Sequence, residues 1–215
     1  IVHLPLLESV ASSFEILSNP RLDTLSANNL QFVSNQLRIY NNDFLLDLAL
    51  LSLTSVDGPL NISDNDRLVS ISINALDTLN GSLTVQDNEL LEILDLPTLS
   101  LLNGDANILY SGDELDANLS ALQNINGALR IHNNDISSIL LPQLRSVEST
   151  LQMYSNSTLS EFSVSNLSDL EFTMFVHNNP QLAQLDISGL ETIEGQVGIY
   201  NNTVLEALDF DSLLS

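Results

Sequence analysis

The side chains best suited to contact a ligand fall in one column of a repeated pattern. Each copy of the repeat has a position two residues before a recurrent Asn, and this column holds five of the seven His and Tyr residues of the chain. An exposed aromatic stripe suits a sugar ring or a protein partner. The alternative is that Tyr favours pleated sheets and stacks on its cross-strand neighbours. With the neighbouring outward column, the candidate ligand-binding residues are Arg130, His132, Tyr154, Phe175, His177 and Tyr200.

Acidic side chains recur at the same spacing. One set follows the recurrent Asn, and a second precedes the column of the recurrent Gly, which holds Ser149, Phe172 and Gly195 in these turns. Together the members are Asp43, Asp66, Glu89, Glu148, Glu171 and Glu194. Carboxylates one repeat apart repel each other, and calcium bound through oxygen ligands would relieve that repulsion. The alternative is a solvated corner whose acids splay apart. Calcium is the one cofactor that the sequence leaves open, and we expect no other.

Catalytic groups are not evident in the sequence. The chain has no Cys, and no Ser-His-Asp set can be recognised. Acids in neighbouring copies could imitate a polysaccharide-cleaving β-helix, but such enzymes decorate one cleft with long loops. Because the copies here are nearly uniform, we expect no enzymatic activity.

These columns exist because a phrase of about 23 residues repeats nine times. The phrase that begins at Leu60 returns at Leu83 and again at Val197, and Ser111 stands in one copy where the others have Asn. A fixed period of 20 to 50 residues indicates a stacked array. At a buried corner, an Asn amide can bond the backbone and the Asn one turn away. We therefore expect a structural ladder of Asn42, Asn65, Asn88, Asn134, Asn156, Asn179 and Asn202.

Each copy contains short segments with apolar residues at alternate positions, such as Leu60/Ile62 and Ile71/Ile73. Alternation places both side chains on one face of a strand, and stacking then aligns copies into parallel sheets. The sequence predicts an all-β fold, a parallel β-helix (β-solenoid) of about nine 23-residue turns, leucine-rich-repeat-like, with 1–215 as a single domain. We also expect positive φ angles at the recurrent small residues Gly58, Gly81, Gly104, Gly127 and Gly195.

The charge of the chain limits its partners. It has 28 acidic residues against five basic ones, a formal net charge of -23. Nucleic acid is excluded because phosphate binding needs a basic surface, whereas basic proteins, cations and neutral glycans remain open. No continuous apolar stretch is long enough to predict a membrane span in this segment.

The sequence contains several acceptor motifs for N-linked glycans. An Asn-x-Ser/Thr triplet begins at Asn61, Asn80, Asn118, Asn156, Asn166 and Asn201. These motifs favour a secreted glycoprotein, although a chain so rich in Asn, Ser and Thr produces some of them by composition alone.

The full phrase reads Leu-x-x-Leu-x-x-Ile-x-Gly-x-Leu-x-Ile-x-x-Asn-x-x-Leu-x-x-Leu, and residues 187–202 are its nearest copy. This pattern resembles the receptor L domain of the insulin and epidermal-growth-factor receptor families, and is similar to that of fungal cell-wall proteins with the same repeats. The resemblance implies a right-handed β-helix, extracellular placement and no catalysis. Ordinary leucine-rich repeats are the nearest alternative, but they place an apolar residue two positions after the Asn, and here it comes three after.

The sequence thus predicts a non-catalytic, extracellular structural or adhesive β-solenoid module of a cell surface, wall or filament assembly. Its expected partners are other protein subunits or glycans. The alternative function is a recognition ectodomain that binds a glycan or protein through the His/Tyr stripe. Partial copies stand at 1–11 and 210–215, so we expect a longer chain or another subunit to cover each end, as in a homo-oligomer or filament.

Overall fold

The chain winds into a stack of short parallel strands. The computed structural model describes residues 1–112, 114–206 and 208, so the partial copy at 210–215 lies outside the described residues. Over this part of the chain there are 27 strands and no helix, and strands pair in parallel with their copies in the adjacent turns. The all-β solenoid of about nine turns is confirmed.

Three faces of the stack carry the strands. The front sheet, within the described residues, comprises β3 (Phe14–Leu17), β6 (Leu37–Tyr40), β9 (Leu60–Ser63), β12 (Leu83–Gln86), β15 (Ala106–Leu109), β18 (Leu129–His132), β21 (Leu151–Tyr154), β24 (Met174–His177) and β27 (Val197–Tyr200). The side sheet comprises β2 (Ser9–Val10), β5 (Phe32–Val33), β8 (Ser55–Val56), β11 (Thr78–Leu79), β14 (Leu101–Leu102), β17 (Asn124–Ile125), β20 (Ser146–Val147), β23 (Asp169–Leu170) and β26 (Thr192–Ile193).

The back sheet is divided into two parts. The first contains β1 (Val2–His3), β4 (Leu25–Ser26), β7 (Asp47–Ala49), β10 (Ser70–Ser72), β13 (Ile93–Asp95) and β16 (Asp116–Asn118). The second contains β19 (Ser138–Leu140), β22 (Glu161–Ser163) and β25 (Gln184–Asp186). On the back face, within the described residues, an isolated bridge between Leu115 and Ile136 stands where the two parts meet, while the front and side sheets continue across this point.

The core is a set of apolar columns that run along the stack. Paired strands of the front sheet are in register at the repeat length, so that Leu60 lies beside Leu83 and Ile62 beside Val85. The inward residues of this turn have no solvent exposure: Leu60, Ile62, Leu68, Ile71, Ile73, Leu76 and Leu79. Burial of each such side chain stabilises the fold by about 1.5–3 kcal/mol before chain entropy is counted. The alternate outward positions are left for contact with other molecules.

The recurrent glycines allow successive turns to approach closely. A Cβ atom on Gly81 would lie 2.6 Å from the carbonyl carbon of Gly58, and one on Gly104 would lie 2.7 Å from that of Gly81. Among the described glycines, positive φ is found at Gly112 and not in this column. The prediction of positive φ at the recurrent glycines is therefore wrong, and backbone contact between turns explains them instead.

Left-handed backbone occurs directly before the recurrent Asn. The residues at this corner, with φ between 47° and 57°, are Ser18, Asn41, Asp64, Asp87, Tyr110, Asn133, Ser155, Asn178 and Asn201. Asn and Asp tolerate this conformation because their short polar side chains can bond the local backbone. Tyr110 is the bulky member of the column, and it lies beside the gap in the back sheet.

Candidate functional site

The recurrent Asn side chains form a buried hydrogen-bonded ladder. The Asn65 Oδ1 accepts hydrogen bonds from the backbone N–H and Nδ2 of Asn42, at 3.1 and 3.3 Å. The Asn65 Nδ2 donates to Ile39 O, Ser63 O and Asn88 Oδ1, at 3.1, 2.9 and 3.1 Å. Asn42, Asn65, Asn88, Asn134, Asn156 and Asn179 are buried, whereas Asn202 is half-buried. The amides therefore connect the corner backbone of each turn to the next turn.

The buried ladder bears directly on one of the glycan acceptor motifs. The Asn156 side chain has no solvent exposure, and its Nδ2 donates to Ile131 O and Asn179 Oδ1, at 3.1 and 3.2 Å. A glycan on this nitrogen would break the ladder and has no path to solvent. Asn156 is therefore wrong as a glycan acceptor in the folded protein.

The remaining acceptor motifs lie at the surface. Asn80, Asn166 and Asn201 are exposed, and Asn61 and Asn118 are half-buried. Asn61 lies in a strand of the front sheet, Asn118 in a strand of the back sheet, and the others at corners.

The predicted aromatic stripe is present as a stack of parallel rings. His132 and Tyr154 have ring centroids 4.2 Å apart, Tyr154 and His177 4.8 Å, and His177 and Tyr200 4.6 Å, with interplanar angles of 16° or less. Each interior ring thus covers the faces of its neighbours. His132 is only 8% exposed, while Tyr200 at the end of the stack is 48% exposed. Interior rings offer mainly their edges to another molecule.

Burial favours the neutral form of both histidines of the stack. Burial lowers the pKa of His132, and the positive charge of Arg130 lowers it further. Burial also lowers the pKa of His177. The Nδ1 atom of His177 is buried and has no hydrogen-bond partner in the described residues. Neutral imidazoles can stack on phenol rings without desolvating a charge.

All six candidate binding residues lie on the outward surface of the front sheet, which we call the front face. Its positions are Glu15, Leu17, Arg38, Tyr40, Asn61, Ser63, Thr84, Gln86, Asn107, Leu109, Arg130, His132, Gln152, Tyr154, Phe175, His177, Gly198 and Tyr200. Glu15 is the one carboxylate in this set, although the chain has 28 acidic residues. The front face is therefore nearly free of negative charge on a strongly acidic protein.

The cations of the front face are paired at its edges. Arg130 Nη1 lies 2.7 Å from Asp105 Oδ2 and 3.1 Å from Asn107 Oδ1. Arg38 lies 3.8 Å from Glu15, and its guanidinium carbon is 5.7 Å from the Tyr40 ring centroid. Both arginines are thus within reach of a carboxylate, and their side chains are half-exposed. The aromatic column, with Tyr40 as one of its members, is readable in the sequence, whereas Arg38 and the scarcity of acids on this face become apparent only in the structure.

The first acidic set lies at the corner that follows the front sheet. Asp43 is half-buried, and Asp66 and Glu89 are exposed. Burial, followed by the charges of Asp87 and Asp66, raises the pKa of Asp64 at the same corner. Like-charge repulsion at this corner thus acts on Asp64, which lies outside the predicted set.

The second acidic set shares one shallow groove. Glu148, Glu171 and Glu194 line it together with Asp169. Across the described residues, no group of three or more His, Cys, Asp or Glu side chains is close enough to hold a metal ion. The geometry thus gives no support for a calcium site.

A depression of about 440 Å³ opens beside the front face, where the Asn ladder is interrupted at Ser111. Its lining includes Glu89, Tyr110, Asn133 and Asp135. The Tyr110 ring is 52% exposed and meets His132 edge-on, with centroids 5.6 Å apart. The sequence shows Ser111 in place of the ladder Asn, but it gives no sign of the depression beside it.

The model of the receptor L domain family matches residues 98–213, more than half of the chain. The chain belongs to the receptor L domain family. Domains of this family are a non-catalytic, ligand-binding type and occur in extracellular receptor ectodomains. Comparison with curated proteins and with solved structures finds no match to this chain. In the described residues, no helix is long and apolar enough to cross a membrane.

Proposed function

We propose that this chain is an extracellular, non-catalytic adhesion module that recognises a protein partner through the front face. The observation that carries the proposal is the distribution of charge. A chain with a net charge of -23 keeps one sheet surface with a single carboxylate, Glu15. Family membership supports the same reading, because receptor L domains are ligand-binding domains.

The composition of the front face is that of an interface centre. Such centres are depleted of charged residues and enriched in Tyr, Phe and Arg. Here Tyr154, Phe175 and Tyr200 lie on the three strands that follow the strand of Arg130 in the front sheet. A partner can cover these groups without desolvating carboxylates. Desolvation of a carboxylate costs free energy unless a cation pairs with it. The acidic remainder of the surface disfavours non-specific association elsewhere.

A protein partner fits the geometry better than a glycan stacked along the stripe. Sugar rings stack on the faces of aromatic rings, but His132, Tyr154 and His177 cover one another's faces at 4.2 and 4.8 Å. The ring edges and polar side chains that remain exposed suit a protein surface, and a standard interface buries about 800 Å² per partner.

A structural role is the second candidate function, and a specific observation favours it. The Asn ladder, the stacked rings and the continuous front sheet all bond one turn to the next along the stack. A module stiffened in this way would suit a cell wall, surface coat or filament. In that case the chain should self-associate or enter an assembly, whereas a recognition module should be monomeric.

Glycosylation is part of the proposal, with Asn80, Asn118 and Asn166 as the main acceptors. These three residues lie outside the front face, and their side chains are exposed or half-buried. Glycans there would cover other surfaces and leave the front face bare. Peptide mapping of the secreted protein should find glycans at these positions and none at Asn156.

The proposal can be tested with two double variants that add the same charge. Thr84→Glu with Gln152→Glu places two carboxylates on the front face, and Thr78→Glu with Gln123→Glu places two at half-buried positions near the side sheet. Labelled protein is titrated onto intact cells of the source organism. We expect saturable binding by the unmodified chain and the control, and at least tenfold weaker binding by the front-face variant.

Two outcomes would contradict the recognition function. One is equal binding by the two variants, and the other is no saturable binding by the unmodified chain. Sedimentation of the purified chain distinguishes the recognition function from the structural role. If the chain self-associates, and the front-face variant self-associates equally well, the structural role is favoured. Melting curves of all variants establish that each is folded.

A further inference from the structure

The depression at the interrupted Asn ladder is a second surface with the features of a binding site. It is an open depression with a volume of about 440 Å³. Glu89, Tyr110, Asn133, Asp135 and Ser157 contribute to its lining. The site lies outside the positions of the front face, so its function is separate from the protein recognition proposed above.

The depression exists because the repeat is broken at this point. Ser111 replaces the ladder Asn, and its hydroxyl reaches only Leu109 O, at 2.9 Å, and weakly the Asn88 N–H, at 3.4 Å. Left-handed backbone follows at Gly112 and Glu114, with φ of 78° and 61°. Without the usual corner, β16 and β19 do not pair, and the back sheet is divided.

Tyr110 is an independent sign of function at this site. The equivalent residue in every other described turn is Ser, Asn or Asp, whereas Tyr110 holds a bulky side chain at φ of 47°. Left-handed backbone is strained for such a residue. The strain keeps an aromatic ring half-exposed at the rim, fixed by its edge-on contact with His132. Strained, locally inconsistent residues concentrate at functional sites.

We propose that this depression binds a sugar residue of a neutral glycan. The Tyr110 ring has an exposed half on which the apolar face of a sugar can pack. Around it, the carboxylates of Glu89 and Asp135 accept hydrogen bonds from sugar hydroxyls, and the Asn133 amide and Ser157 hydroxyl donate and accept them. Ser157 already donates to Asp135, which orients that carboxylate.

A hydroxylated ligand suits this lining better than a metal ion. The described residues contain no group of three acidic, His or Cys side chains that could hold one. An aromatic ring beside mixed amide, hydroxyl and carboxylate groups provides both an apolar surface and several hydrogen-bonding groups. Neutral sugars require this combination, and they do not require charge pairing.

The test replaces Tyr110 by the residue that the repeat itself uses. Tyr110→Asn restores the residue type found at Asn41, Asn133 and Asn178, so the variant should fold and melt at the same or a higher temperature. The probes are soluble neutral oligosaccharides of hexoses and N-acetylhexosamines, titrated into the full chain by calorimetry and NMR. We expect saturable binding of at least one probe, insensitive to added salt, and at least tenfold weaker in Tyr110→Asn.

Tyr40→Asn is the matched control, because Tyr40 lies on the front face three turns away and does not line the depression. It should bind the same probe with unchanged affinity. Failure of every probe to saturate, or full binding by Tyr110→Asn, would overturn the proposal. Binding that is lost on adding salt or displaced by free lysine would also overturn it, since that result would identify a cationic ligand.

Discussion

Replacement of Asn65 by Ala tests the energetic role of the buried ladder. The change removes five hydrogen bonds of the side chain, two accepted from Asn42 and three donated to Ile39 O, Ser63 O and Asn88 Oδ1. The buried Asn42 N–H loses its acceptor, and Ile39 O and Ser63 O each lose a donor, although Ser63 O keeps the Asn41 N–H at 3.2 Å. Each unsatisfied buried group costs about 1–3 kcal/mol, and entry of a water would recover part of this. We expect a loss of about 3–5 kcal/mol in unfolding free energy.

The matched control is Asn80→Ala, which breaks a surface ladder of the same residue type. Asn80 Nδ2 donates to Asp57 Oδ1 at 3.0 Å, and its Oδ1 accepts from Asn103 Nδ2 at 2.8 Å. Because Asn80 is exposed, water replaces both partners, and we expect a change below about 0.5 kcal/mol. Urea unfolding followed by circular dichroism measures both variants. An Asn65→Ala loss under about 1 kcal/mol would refute the reasoning.

Three further predictions follow from the stacked turns. Gly81→Ala should lower the unfolding free energy by about 2–4 kcal/mol, because its Cβ would lie 2.6 Å from Gly58; an unchanged urea midpoint would show that the turns can separate freely. Ser111→Asn should raise the unfolding free energy by about 1 kcal/mol, because it completes the Asn ladder. A lower melting temperature of this variant would contradict the prediction. Burial lowers the pKa values of His132 and His177 in the folded state below 6.5. As the pH falls, these histidines therefore bind protons in the unfolded chain before they do so in the folded chain. Stability should therefore fall as the pH drops from 7 to about 5, and replacing both histidines by Gln should remove that fall.

The periodic parts of the fold could be predicted from the sequence. Alternating pairs such as Leu60/Ile62 became strands of the front sheet, and the inward columns became the core. The repeat supplies this information nine times over, and stacking allows each turn to meet only its neighbours. The same logic placed the rings of Tyr154 and His177 in one column, where they stack at 4.8 Å.

Features that depend on contacts between turns could not be predicted in the same way. Gly81 is required because the backbone of Gly58 in the preceding turn leaves no room for a Cβ atom. The distance between these two turns cannot be read from the sequence pattern. The Asn156 motif reads as a glycan acceptor until burial shows that its Nδ2 is bonded within the ladder. Tyr110 is the odd member of a column of Ser, Asn and Asp that the sequence already contains, but the left-handed backbone that makes a bulky residue costly there is known only from the structure.

The most direct test of the front face uses a photo-crosslinking amino acid in place of one side chain. It is placed at Gln152, between Arg130 and Phe175 on the front face, and in a control at Gln123 near the side sheet. Illumination on intact cells of the source organism is followed by mass spectrometry. The account predicts a discrete crosslinked protein from position 152 that is absent from position 123. The same crosslinks from both positions, or a discrete product from position 123 alone, would contradict it.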